Sequence, residues 1–140
     1  MKEQLTYLIL GLCCISLGGC GGGETVSLGQ VTGIVTLDGE PLPGAIVSFS
    51  PVEGGRTSVA TCDESGAYVM MYVGQKGALL GQHVVTISHI VDGKPNGVGP
   101  EGEEVFESIE MVPEKYRSGE ELKAEVLEGP NEHNFVLSSK

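Results

Sequence analysis

From residue 30 onward the apolar residues recur at every second position, and Gly, Pro and Asp interrupt them at short intervals. A period of two is the signature of a strand with one face buried, whereas a helix needs a period near 3.6. Val31, Gly33, Val35 and Leu37 alternate with Thr32, Ile34 and Thr36 until Asp38-Gly39, a turn pair whose residues tolerate positive φ. Ala45, Val47 and Phe49 alternate with Ile46, Ser48 and Ser50, then Pro51 stops the run and Glu53-Gly54-Gly55 forms a loop. The same reading predicts strands over 58–62, 67–73 and 83–91, with Asp63-Glu64-Ser65-Gly66 as a turn and 74–81 as a loop. Two late runs, 122–127 and 133–137, read as closing strands, and 112–122 reads as an irregular crossover although Pro113-Glu114 is suited to opening one helical turn. Short strands punctuated in this way predict an all-β antiparallel sandwich or barrel. The core is expected at Val31, Val35, Leu37, Val47, Phe49, Val59, Tyr68, Met70, Val85, Ile87, Val126, Phe135 and Leu137.

Charge narrows the classes of partner. The chain of 140 residues has a formal net charge of −11 and 22 glycines. A nucleic-acid binder needs a basic face to displace counterions from phosphates, so that class is excluded. Much of the acidity is local: residues 101–128 hold ten Glu against Lys115, Arg117 and Lys123, a net −7. Residues 92–110, rich in Gly and Pro and then in Glu, read as a long solvated loop in preference to a cation site or a partner-facing loop.

The first nineteen residues read as an export signal. Lys2 precedes an apolar run from Leu5 to Leu17 that is too short to span a bilayer and is broken by Gly11 and Ser16. The run ends in Leu17-Gly18-Gly19-Cys20, which resembles the lipobox of bacterial lipoproteins. That resemblance implies cleavage before Cys20, a diacylglyceryl group on its sulfur and a palmitate-type acyl group on its new amino terminus. Residues 20–29 then form a lipidated cysteine and a Gly-rich tether, and residues 30–140 form the domain. One acyl chain holds a protein only marginally at a membrane, and two or three hold it stably. Gly21 stands where Asp would often mark inner-membrane retention, so the resemblance favours the outer membrane or the cell surface.

Other candidate chemistry is sparse. Cys13, Cys14 and Cys20 belong to the signal and the anchor, which leaves Cys62 without a partner for a disulfide; it is expected to pack as a small strand residue rather than to react. His83 and His89 lie six residues apart on one strand face, about 20 Å at 3.3 Å per residue, too far to share a metal. His133 has no spacing that ties it to either. Asp38, Asp63 and Glu64 are conceivable calcium ligands, but no EF-hand pattern contains them. No P-loop, nucleophile elbow or H-E-x-x-H motif occurs. No catalytic, cofactor-binding or metal-binding residue is therefore assigned, and no cofactor is expected.

Gly33-Ile34-Val35-Thr36-Leu37-Asp38-Gly39-Glu40-Pro41-Leu42-Pro43-Gly44-Ala45 resembles the opening of carboxypeptidase regulatory-like domains, with a glycine in the first strand and a G-x-P-L-x-G-A turn. Thr61-Cys62-Asp63-Glu64-Ser65-Gly66-Ala67-Tyr68 is similar to that family's T-D-x-x-G-x-Y turn. Leu80-Gly81-Gln82-His83-Val84-Val85 is similar to its P-G-x-Y-x-V strand, with Leu80 for Pro and His83 for Tyr. The resemblance implies a seven-stranded Greek-key β-sandwich of the transthyretin-like (prealbumin-like) kind and a non-catalytic structural or protein-interaction role in the cell envelope. It leaves a carbohydrate-binding module as the alternative. A more distant alternative is the related 5-hydroxyisourate hydrolase, of whose C-terminal Tyr-Arg-Gly-Ser only an internal, reordered Tyr116-Arg117-Ser118-Gly119 is present. The expected partners are the membrane, through the N-terminal lipid, and an envelope protein or glycan.

Overall fold

The computed structural model describes residues 25–140. Alternation has its expected outcome in β1 (Leu28–Leu37), where Val31, Gly33 and Val35 point inward and Thr32 and Ile34 point outward. Asp38 and Gly39 take φ of 52° and 86°, and this left-handed pair returns the chain into the short β2 (Glu40–Pro41). The alternation continues in β3 (Ile46–Pro51), which buries Val47 and Phe49.

In β4 (Ser58–Thr61) the phase is opposite to the one expected. Ser58 and Ala60 face the core, and Val59 is 43 % exposed. Small residues are needed there because Ser58 lies directly opposite Phe49 in the β3–β4 register, and the ring fills the space a larger side chain would take. The next predicted strand divides at Met70. β5 (Ala67–Val69) pairs with β1, whereas β6 (Met71–Tyr72) pairs with β4. Met70 is buried at the point where the chain passes from one sheet to the other.

The stretch expected as a loop over 74–81 holds β7 (Gln75–Lys76) and β8 (Ala78–Leu79). Val73 at φ 46° and Gly74 at φ 82° make the β6–β7 turn, and a β-branched residue in that region gives no turn signal in the sequence. After β9 (Gly81–Ser88) come β10 (Ile90–Val98) and β11 (Glu104–Glu110), which pair antiparallel with each other. Residues 92–110 are therefore a hairpin and not a structureless loop. Gly93, Pro95 and Gly97 sit at two register shifts in the ladder, where a bulge tolerates them, and Gly99 and Gly102 belong to the turn at the tip. A single helical turn, α1 (Glu114–Arg117), follows Pro113 and replaces the irregular crossover. Proline fits there because the first helical N–H groups have no partner within the helix. The chain closes with β12 (Leu122–Val126), β13 (Pro130–Glu132) and β14 (Phe135–Leu137).

The protein is all-β and sandwich-like. One sheet is organised around β1, with β8, β5 and β2 antiparallel to it and β13 and β14 parallel to it. The other runs β12-β9-β3-β4-β6-β7. Phe49 joins the two: its ring centroid lies 6.2 Å from Phe135 of the first sheet and 5.6 Å from His83 of its own. All the expected core residues except Val59 and the half-buried Leu37 are buried. Gly33 is required by packing, because a Cβ there would collide with the His133 carbonyl and meet the Tyr68 ring at 2.9 Å. The Tyr68 hydroxyl donates to that same carbonyl at 2.6 Å.

Candidate functional site

The histidines that spacing left unconnected are partly brought together. His83, on β9, and His133, between β13 and β14, both pack against Phe49, with ring centroids 5.6 Å and 5.9 Å from it. His83 is 1 % exposed. Its Nδ1 lies 3.0 Å from the Gly81 carbonyl, and its Nε2 is buried without a partner among the described residues. Burial holds its pKa below the ordinary value, opposed by the Gly81 contact and reinforced by nearby His133. The His133 Nε2 lies 2.9 Å from the Glu125 carbonyl. His89 stands apart from this pair, against Gly44, just beyond the end of β9. Among the described residues no group of three or more His, Cys, Asp or Glu is arranged to hold a metal ion.

The acidic turn residues serve their own turns. Asp63 Oδ1 accepts from the Ser65 N–H, the Ser65 hydroxyl and the Ala67 N–H at 2.9, 2.7 and 3.0 Å, and these bonds hold its pKa low. Asp38 Oδ1 accepts from the Ser139 N–H at 2.9 Å, with the same consequence. Cys62 is buried, and desolvation, reinforced by the charge of Asp63, pushes its thiol up to about 11. It is a packed core residue and carries little thiolate at neutral pH.

The Tyr116–Gly119 segment is structural as well. The Tyr116 hydroxyl accepts from the Ser138 N–H at 3.1 Å, and Arg117 Nε donates to the Val112 carbonyl at 3.0 Å. Of the six aromatic residues described, Phe49, Tyr68, Tyr116 and Phe135 are buried, Tyr72 is half-buried, and Phe106 on β11 is exposed. Phe106 is thus the one exposed aromatic side chain among the described residues. A hollow of about 270 Å³ opens between Val26, Pro51 and Leu79, and one of about 230 Å³ between Val31, Val69 and Lys76.

The feature that stands out is the β10–β11 arm. It leaves the body at His89 and returns at Val112, and Glu110 fixes its root. The Glu110 Oε1 accepts from the N–H groups of His89 and Val112 at 2.8 and 2.9 Å, and the Met111 N–H donates to the His89 carbonyl at 2.9 Å. Beyond that root nearly every residue is solvent-exposed or only half-buried, apolar ones included, and the two strands pair with no other described strand. At about 3.3 Å per residue, the nine residues of β10 extend roughly 30 Å. The sequence showed the arm's acidity but not its shape.

Cys20, the signal and most of the Gly-rich tether lie outside the described residues. No described helix is long and apolar enough to cross a membrane. In comparisons with known proteins the chain matches no family model, and no curated protein or solved structure matches it significantly. Fold and surface together define a class: a sandwich-like all-β body that carries a projecting two-stranded arm.

Proposed function

We propose that this is a non-catalytic lipoprotein, anchored at a bacterial envelope membrane through Cys20, whose β-sandwich serves as a structural or protein-interaction module. The observation that carries the reading is Leu17-Gly18-Gly19-Cys20 followed by a glycine run, immediately ahead of a chain that alternates as strands. The transthyretin-like, Greek-key arrangement belongs to the same reading. It is supported by the Asp38-Gly39 turn between β1 and β2 and by the buried Gly33 under Tyr68, two of the positions on which the family resemblance rests. The proposed site is the outer membrane or the cell surface.

The test is metabolic labelling of the full-length protein with an alkyne fatty acid, together with membrane fractionation and crosslinking in intact cells. The wild type should carry label and sediment with membranes, and Cys20→Ser should lose both the label and its crosslinked neighbours. A wild-type chain that is unlabelled and soluble would overturn the anchor. Identical neighbours for both chains would show that anchoring does not set its company.

A further inference from the structure

The arm has three properties that belong together. It projects from the body, it pairs with nothing else among the described strands, and it exposes apolar side chains on both faces, Ile90 and Val98 among them at 63 % and 71 %. On β11 alternation sends Val105 and Ile109 to one face and Phe106 to the other, and the register sets Val91 opposite Ile109 on the first face. Val105 and Ile109 are each 41 % exposed there. An isolated two-stranded hairpin is only marginally stable in water, and its exposed apolar side chains are what a partner would cover.

Charge selects the partner. Residues 90–110 carry six carboxylates and one lysine, a net −5, with three of the glutamates gathered at the tip as Glu101, Glu103 and Glu104. A second copy would bring the same sign against itself, and its whole chain is also strongly acidic. An anionic lipid surface is repelled for the same reason. A protein surface with an apolar patch inside a rim of Lys and Arg complements both the face and its border.

We infer that the β10–β11 arm, through its exposed Ile90, Val98, Val105, Phe106 and Ile109, is a docking surface for a basic protein partner whose apolar patch it covers. This rests on the interaction-module reading and gives it a surface and a partner chemistry. The test uses the full-length chain in detergent, so that it is independent of the outcome for the anchor. The probe is a short amphipathic lysine–leucine peptide, with a lysine homopolymer of equal charge, a glutamate–leucine peptide and phosphatidylglycerol vesicles as comparisons. Amide exchange should slow over residues 91–109 with the lysine–leucine peptide only.

Val105→Ser/Ile109→Ser should weaken that peptide's binding about tenfold, and Val136→Ser at an exposed position of β14 on the body should leave it within about twofold. Replacing Glu101, Glu103 and Glu104 by Gln should weaken binding and flatten its salt dependence, which keeps the test intact if the serine variant unpairs the hairpin. The proposal is overturned if the homopolymer binds equally well, or if protection falls on the body instead. It is equally overturned if the arm is protected by increasing protein concentration alone or by vesicles.

Discussion

The sandwich body and the arm are built from the same backbone ladder, yet they differ in what holds them. In the body, β1, β3, β4, β9 and β12 each bury one face in a shared core, and Phe49 packs between side chains of both sheets. In the arm the ladder stands alone, and it is fastened at its root by the Glu110 carboxylate and the Met111–His89 backbone bond. Backbone pairing gives a strand its direction, but burial gives it stability. The body is thus the stable part and the arm the adaptable one.

The comparison is tested most severely at its centre. Phe49→Ala should lower stability by about 3–5 kcal/mol in urea unfolding, since the ring is fully buried against both sheets. A loss below about 1 kcal/mol would mean that the two sheets do not meet there.

Acid should act on the same place next. The folded-state pKa of His83 lies below its unfolded value, so as pH falls through about 6.5 the unfolded chain takes up the proton first. Stability then declines with falling pH, by at most about 1.4 kcal/mol per pH unit, until the folded pKa is reached. His83→Leu should flatten that part of the pH–stability curve; an unchanged slope would place the titration elsewhere.

Cutting the root should separate the two regions. Glu110→Ala removes the acceptor for two N–H groups and is expected to cost about 1 kcal/mol. Amide exchange should accelerate across β10 and β11 and remain unchanged in β3 and β9. Equal acceleration in both would show one cooperative unit where two are argued.

The smallest effect is expected at the arm's own aromatic residue. Phe106→Ala should shift global stability by no more than about 0.5 kcal/mol, because the ring is exposed. A larger loss would show that the arm packs on the body.

The sequence was legible where one physical demand governed each position. β1, β3 and β9 have one wet and one dry face, and their alternation states it directly. β4 departs from the expected phase because its dry face carries the small Ser58, opposite Phe49, and Ala60, opposite Val47, while its wet face carries Val59. Hydrophobicity does not encode a neighbour's volume. The arm was misread because a hairpin without a buried face has no reason to alternate, and its Gly and Pro residues resemble loop chemistry. The approach of His83 and His133 to Phe49 depends on strands far apart in the chain, which no local spacing reports. The acidity of the candidate surface was visible, and its shape was not.

The parallel pairing of β1 with β13 and β14 has a consequence in time. The Ile34 N–H bonds to the Asn134 side chain, and Val35 to Leu37 align with Phe135 to Leu137, about a hundred residues later. Contacts between such distant segments form slowly. The first described strand therefore completes its sheet only when the last two have been made, so a chain cut short before Phe135 lacks the partner that covers one edge of β1.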